Sequence, residues 1–238
     1  MNVTWLEREA VPDAIAERVQ LADVVLDVGP GIRPQKHVFP LIHICVEPFA
    51  PYIERMRESV GDDPRFVFLN STWQDALAKL PDKSVDSVFA LDVIEHLEKD
   101  DGLELLRQAR RLARRQVMIF TPLGYMPQDY GDTDKKDRWG MEGGYWQTHR
   151  SGWEPGDFDD DWSFVACKRY HEVDENDQPL DEPAGALWAF LDLAQDGGTG
   201  DAALGAQYRR LRGMYYKRRA RRLLPRWMYG GLQRLKNR

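Results

Sequence analysis

The stretch VVLDVGPGIRPQ, residues 24–35, joins an apolar run to an aspartate and then to Gly-Pro-Gly. A run of Val and Leu is typical of a strand that is buried on both faces of a parallel sheet, and Asp27 interrupts that run. Glycines directly after a strand permit left-handed backbone and the close approach of a ligand. The stretch therefore predicts a buried strand that leads into a ligand-binding turn.

Strand-like and helix-like segments alternate after this point, which predicts crossover connections and an α/β fold. We expect a Rossmann-like, doubly wound and mostly parallel sheet with helices on both faces. A final hairpin would bring the sheet to about seven strands, the last one antiparallel. The predicted strands are 24–28, 41–46, 65–69, 85–91, 116–120, 162–173 and 186–193, and the predicted helices are 12–20, 52–60, 74–79 and 102–114.

The composition indicates one globular core with an appendage. The chain has 238 residues, of which 42% are hydrophobic, and a formal net charge of -6. It contains neither a membrane-spanning apolar run nor the pattern of a secretion signal. Its two cysteines, Cys45 and Cys167, lie in separate strand-like segments, so no disulfide framework and no metal site is expected. We expect a cytoplasmic protein with one domain at 1–195, a linker at 196–207 and a tail at 208–238.

Residues that follow the predicted strands carry the functional information, because ligands of such sheets bind outside the carboxyl ends of the strands. The first strand is followed by Gly29 and Gly31, and the second ends in Glu47. A glycine turn lets a ligand approach the backbone, and an acid at the end of the second strand can accept both hydroxyls of a ribose. Together they predict a nucleoside site.

Three of these strand ends resemble the class I S-adenosylmethionine-dependent methyltransferases. LDVGPG is similar to the first motif of that family, CVEP to its ribose-binding acid, and SVDSVFALDVIEHLEKDDG to its fourth strand and the loop that follows. The resemblance covers roughly residues 20–170 and implies S-adenosylmethionine as cofactor. By this resemblance, Asp27 would order the loop or contact the ammonium group of the cofactor, and Gly29 and Gly31 would line its amino-acid part. Glu47 would bind the ribose of the cofactor, Thr72 and Trp73 would flank its adenine, and Asp92 would lie near its methionine end.

The glycine turn departs from the family pattern at one place. Arg33 stands where a third glycine is usual, and Pro34 follows it. With few residues left before the second strand, the helix that usually follows the turn should be short or irregular. The rival interpretations are a nicotinamide dinucleotide site, whose GxGxxG pattern GPGIRP does not match, and a turn with only a structural role.

A long aromatic segment follows the predicted strand at 116–120 and indicates a binding loop or lid. Its aromatic residues are either core residues of a large loop or substrate contacts, and flat rings beside polar side chains would suit a sugar. The aromatic residues are Trp139, Tyr145, Trp146 and Trp153, and the polar ones are Asp129, Gln147 and His149.

A hydroxyl acceptor has to lose its proton during methyl transfer, and His149 and His96 are the candidate bases. The alternatives are a loop-stabilising hydrogen bond for His149 and a capping role for His96. We expect transfer to a hydroxyl of a sugar in a surface polysaccharide or a lipid-linked glycan. A small-metabolite methyltransferase and a non-catalytic S-adenosylmethionine-binding regulator are the alternatives.

The tail at 208–238 differs from the rest of the chain in charge. It holds 12 basic residues and no acid, whereas the preceding residues have a formal charge of -18. Tyr216, Ala220, Leu223 and Trp227 share one face of a basic amphipathic helix, which Pro225 bends or ends. Such helices bind anionic membranes, here the inner face, or pack on the protein itself. Nucleic acid is disfavoured because the acidic body would repel it, and nothing indicates the oligomeric state.

Overall fold

The computed structural model describes residues 2–130, 136–174 and 178–193. Its centre is a single sheet of eight strands in the order β1-β7-β8-β6-β5-β2-β3-β4. The predicted linker at 196–207 and the tail at 208–238 lie outside the described residues. None of the described helices is long and apolar enough to cross a membrane.

The strands are β1 Asn2–Trp5, β2 Val24–Val28, β3 Ile42–Glu47, β4 Phe66–Asn70, β5 Val85–Leu91, β6 Ala113–Leu123, β7 Ser163–Val173 and β8 Pro179–Asp192. The helices are α1 Val11–Arg18, α2 Ala50–Val60, α3 Trp73–Leu77, α4 Lys99–Leu112 and α5 Gly144–Gln147, and three single turns of 3-10 helix lie at Arg8–Ala10, Ile94–His96 and Pro155–Asp157. All strand pairings are parallel except those of β8, which runs antiparallel to β6 and β7.

The sheet is covered on both faces, as the sequence predicted. Alternate residues of a strand point to opposite faces. Leu26 of β2 belongs to the core on the face of α3 and α4, whereas its neighbour Val25 belongs to the core that contains Ile15 of α1. The Rossmann-like, doubly wound, mostly parallel arrangement with an antiparallel last strand is therefore confirmed.

Two features differ from the expected strand set. The extra strand β1 pairs with the outer edge of β7, opposite Ser163 to Ala166, and is too short and polar to give an apolar pattern. Strand β8 begins at Pro179, earlier than predicted, because its first half pairs with the exposed end of β7 outside the core. The helix after the glycine turn, which we expected to be short or irregular, is absent, since only turns and loop connect β2 to β3.

Candidate active site

The turn after β2 has the backbone that only glycine adopts easily. Gly29 and Gly31 have φ angles of 60° and 58°. A Cβ atom on Gly29 would lie 3.0 Å from the side chain of Val93, so that position also lacks room. The two glycines therefore fold the turn tightly over the ends of β2 and β5.

Asp27, at the end of β2, bonds the loop that follows the strand. Its buried Oδ2 atom accepts a 2.7 Å hydrogen bond from the amide of Gln35 and lies 3.1 Å from Nε2 of His43 on β3. The hydrogen bond from Gln35 belongs to the loop after β2, and both roles that the family resemblance offered for Asp27 stay predictions. The contact with His43 escaped the sequence analysis, because it depends on the pairing of β2 with β3.

Glu47, at the end of β3, faces the same turn. Its Oε2 accepts a hydrogen bond from the amide of Gly31 at 3.0 Å, and its Oε1 accepts one from the amide of Phe49 at 3.0 Å. Burial raises the pKa of Glu47 to about 7, although these two amides favour the ionised form. Each carboxylate oxygen can accept a second hydrogen bond, so a ribose could bind without displacing the loop.

Thr72 and Trp73 follow β4, at the start of α3. Thr72 caps this helix, with its Oγ1 atom accepting from the amide of Asp75 at 3.3 Å. The ring of Trp73 packs in the core beneath the strand ends, and its buried Nε1 has no hydrogen-bond partner among the described residues. Their predicted contact with the adenine stays a prediction.

Asp92 and Glu95 follow β5. Asp92 has a left-handed backbone, with φ of 55°, and it is exposed. The protein atoms around its carboxyl group displace part of the water and raise the pKa of Asp92. Glu95 is buried, and its carboxyl group lies close to the side chains of Asp92 and Thr121. Burial raises the pKa of Glu95 well above its usual range.

The two predicted histidines meet beside Glu95. The ring centroids of His96 and His149 are 4.9 Å apart, and a nitrogen of each ring and a carboxylate oxygen of Glu95 all lie within 4.8 Å of one another. Nδ1 of His149 donates to the carbonyl of Met126 at 2.6 Å, and Nδ1 of His96 lies 3.3 Å from the carbonyl of Thr148. These carbonyls favour the tautomer with the lone pair on Nε2, an arrangement typical of both bases and metal ligands.

Glu95, His96 and His149 therefore form a donor set that could hold a divalent cation. The spacing of histidines and cysteines along the chain predicted no metal site and no role for Glu95. Its position beside His96 after a buried strand was the available signal. A second group, Asp27, His43 and Cys45, is less suited, because burial raises the pKa of the Cys45 thiol and the carboxylate already bonds His43 and Gln35.

Trp153 anchors the segment that carries His149. Its ring is fully buried in the core, and its Nε1 atom donates to the carbonyl of Ile94 at 3.1 Å and to Oγ of Ser151 at 2.9 Å. Among the predicted aromatic residues it is thus a core residue. In contrast, Trp139 and Tyr145 are partly exposed.

The residues at these strand ends fit S-adenosylmethionine. Glu47 can accept ribose hydroxyls, the turn at Gly29 and Gly31 leaves room for a ligand beside its backbone, and the buried Nε1 of Trp73 has no hydrogen-bond partner among the described residues. Residues 26–121 match the family described as methyltransferase domain. This segment is a class I S-adenosylmethionine-dependent methyltransferase domain. The enzyme uses S-adenosylmethionine as its cofactor. A comparison of the chain with curated proteins finds no match.

Among solved structures, the chain is similar to two methyltransferases. A magnesium protoporphyrin IX methyltransferase from Synechocystis is 13% identical, with a TM-score of 0.43, over 78% of this chain and 79% of that one. A methyltransferase from Archaeoglobus fulgidus is 15% identical, with a TM-score of 0.43, over 77% of this chain and 94% of that one.

Proposed function

We propose that the methyltransferase transfers a methyl group to a hydroxyl of a sugar in a surface polysaccharide or lipid-linked glycan. The observation that carries the proposal is the cluster of Glu95, His96 and His149 beside the strand ends. Transfer to a hydroxyl needs a group that accepts the hydroxyl proton or lowers the pKa of the hydroxyl, and this cluster supplies candidates for both.

Bound S-adenosylmethionine supplies an electrophilic methyl carbon on a sulfonium. The protein has to align the acceptor oxygen with that carbon and exclude water. His149 is fixed through two backbone contacts, from its Nδ1 to the carbonyl of Met126 and from its amide to the carbonyl of Gln128 at 2.9 Å. A histidine held in this way can take up the hydroxyl proton on Nε2 without moving its ring.

The same cluster permits a second route. Two neutral imidazoles and a carboxylate suit a divalent cation such as Zn²⁺ or Mn²⁺, which would lower the pKa of a coordinated hydroxyl. The position of the buried Glu95 carboxyl group beside both imidazoles supports this route. In the first route His149 accepts the hydroxyl proton, and in the second it holds the cation, which acts on the acceptor oxygen.

Exposed aromatic rings support a sugar as the acceptor. Tyr125 follows the end of β6 and is 60% exposed. Its flat apolar face could stack on the C–H face of a pyranose, as aromatic side chains commonly pack by their faces. A small-metabolite acceptor and a non-catalytic regulator remain the competing proposals.

A tritium-transfer assay separates these functions. The full chain is incubated with S-adenosylmethionine labelled in the methyl group and with nucleotide sugars, lipid-linked oligosaccharides or a panel of small hydroxylated metabolites. Label in a glycan supports the proposal, whereas label in a small metabolite contradicts the acceptor class. No transfer to any acceptor, with tight binding of S-adenosylhomocysteine retained, would favour the regulator.

Metal removal then separates the two routes. Chelated and dialysed enzyme should lose turnover, and Zn²⁺, Mn²⁺ or Mg²⁺ should restore it, if the cluster holds a cation. Turnover that survives chelation but is lost in His149→Ala assigns His149 as the general base. Glu95→Gln distinguishes the routes further, because it removes a metal ligand while leaving both imidazoles in place.

We further propose that residues 208–238 hold the methyltransferase on the inner face of an anionic membrane in the cytoplasm. The support is the charge of this tail, with 12 basic residues and no acid, and its aromatic and aliphatic residues. Each basic residue near such a surface contributes about 1 kcal/mol of attraction. A membrane location would place the enzyme beside a lipid-linked acceptor.

A further inference from the structure

Three aromatic rings pack edge to face beside the glycine turn. Tyr52 lies on α2, a few residues after Glu47, and meets Phe49 and Trp139 edge to face, with ring centroids 4.8 Å and 5.4 Å away. Trp139 comes from the segment after β6, far away in sequence. Tyr52 therefore joins the cofactor side of the site to that segment.

A buried carboxylate fixes this contact. The hydroxyl of Tyr52 donates a short hydrogen bond to Oδ2 of Asp137, and burial together with Asp137 raises the pKa of the phenol, so it remains a donor. Oδ1 of Asp137 accepts from the amides of Trp139 at 2.8 Å and Met141 at 3.0 Å. Asp137 thus shapes its own loop and ties that loop to α2 through a charge-assisted hydrogen bond.

The position of Trp139 relates this contact to the cofactor. Its ring reaches within 3.8 Å of the point where a Cβ atom on Gly31 would lie, and the amide of Gly31 bonds Glu47. Gly143 packs more closely against Tyr52, since a Cβ atom on Gly143 would lie 2.2 Å from the Tyr52 hydroxyl. Trp139 therefore stands over the turn that binds the cofactor.

We infer that the Tyr52–Asp137 hydrogen bond is a latch that holds residues 136–149, the cap segment, closed over bound S-adenosylmethionine, with Trp139 covering the turn at Gly31. The cap segment ends at His149. Closure over the cofactor and placement of the acceptor-site histidine are thus mechanically linked. The latch sets how long the cofactor stays bound, and Tyr52 acts as a positioning residue.

The test is Tyr52→Phe, which keeps the stacked ring and removes only the hydroxyl. Dissociation of S-adenosylhomocysteine, followed by rapid mixing and displacement, should become about 10-fold faster, the scale of one lost hydrogen bond to a charged group. Hydrogen exchange at the amides of Trp139 and Met141 should also quicken in the cofactor-free protein. Tyr145→Phe, the same change at an exposed position of the cap segment, should leave the dissociation rate unchanged.

An unchanged dissociation rate in folded Tyr52→Phe would overturn the inference, even if amide exchange quickened, because the pair would then be a local contact only. Asp137→Asn provides a second variant, because its side chain keeps an acceptor oxygen but has no charge. It should also make the dissociation of S-adenosylhomocysteine faster. These measurements use no acceptor, so their outcome is independent of the proposed transfer to a sugar.

Discussion

The amide of Arg150 donates a 2.7 Å hydrogen bond to the carbonyl oxygen of Glu95. This bond ties the end of the cap segment to the loop after β5, and the guanidinium of Arg150 adds a 2.6 Å bond to the carbonyl of His96. The acceptor-site histidine His149 precedes Arg150 directly. Two backbone carbonyls of one loop therefore set the distance between His96 and His149.

Glu47→Ala should weaken binding of S-adenosylhomocysteine by about 1.5–3 kcal/mol, because charge-assisted hydrogen bonds to the ribose are lost. Isothermal titration calorimetry measures the effect. Glu58→Ala, which removes an exposed glutamate of α2, is the matched control and should bind like wild type. Equal affinity of the two variants would remove Glu47 from the site.

Cofactor affinity should depend on pH through Glu47, whose pKa is raised to about 7. The ionised carboxylate accepts the ribose hydroxyls, and at pH 6 only about a tenth of such groups are ionised, so affinity should be about 10-fold lower than well above pH 7. In the cofactor-free protein this group should act in the opposite direction, and the free energy of unfolding should fall as pH rises from about 5 to 7.

Calorimetric titrations from pH 5.5 to 8.5 check this prediction. In Glu47→Gln the side chain cannot ionise, so the part of the slope that Glu47 causes should vanish. Identical slopes in the variant and in wild type would show that another group, such as Asp92, controls the pH dependence.

His149→Ala should lower turnover by about 100-fold or more while leaving the affinity for S-adenosylhomocysteine intact, the usual loss for a general base. Initial rates of methyl transfer and calorimetry on the same preparation measure both quantities. His37→Ala, at an exposed position, is the control. Turnover within a few-fold of wild type would leave His149 a structural residue of the loop.

Gly102→Ala should destabilise the protein although alanine normally favours a helix interior. A Cβ atom on Gly102 would lie 2.3 Å from the ring of Trp153, so the ring that anchors the cap segment has to move. Overpacking of this kind lowers the free energy of unfolding by about 1–3 kcal/mol. Urea denaturation measures it, with Gly156→Ala, where a Cβ atom meets nothing within 4 Å, as control. A stabilised Gly102→Ala would contradict this packing.

The full chain should sediment with anionic vesicles but not with neutral ones, and salt should release it because a screened surface potential attracts the tail. Removal of residues 208–238 should abolish sedimentation and leave cofactor affinity unchanged. If the tail instead packs on the protein, its removal should lower the melting temperature, and vesicle binding should be negligible throughout. Absence of binding to anionic vesicles at low salt would rule out the membrane anchor.

The sequence predicted the central strands closely because their burial leaves a direct trace in composition. Strands β2 and β5 have the predicted bounds, 24–28 and 85–91. The first strand, Asn2–Trp5, left no such trace because it lies at an edge and exposes most of its residues. Burial on both faces requires continuous apolar residues, whereas an edge strand is stabilised mainly by backbone hydrogen bonds that any residue can make.

Sequence alone determined the fold class and the strand-end residues Asp27, Glu47 and Asp92, because parallel strands gather their carboxyl ends at one edge of the sheet whatever the loops do. Only the tertiary structure decided that His149 meets His96 and Glu95, and that Tyr52 bonds Asp137. These partners are far apart along the chain. Their contacts depend on how the long segment after β6 folds back on the sheet. The packing of Trp153 and the backbone hydrogen bonds of Arg150 fix that path, and local propensity and periodicity do not encode such long-range contacts.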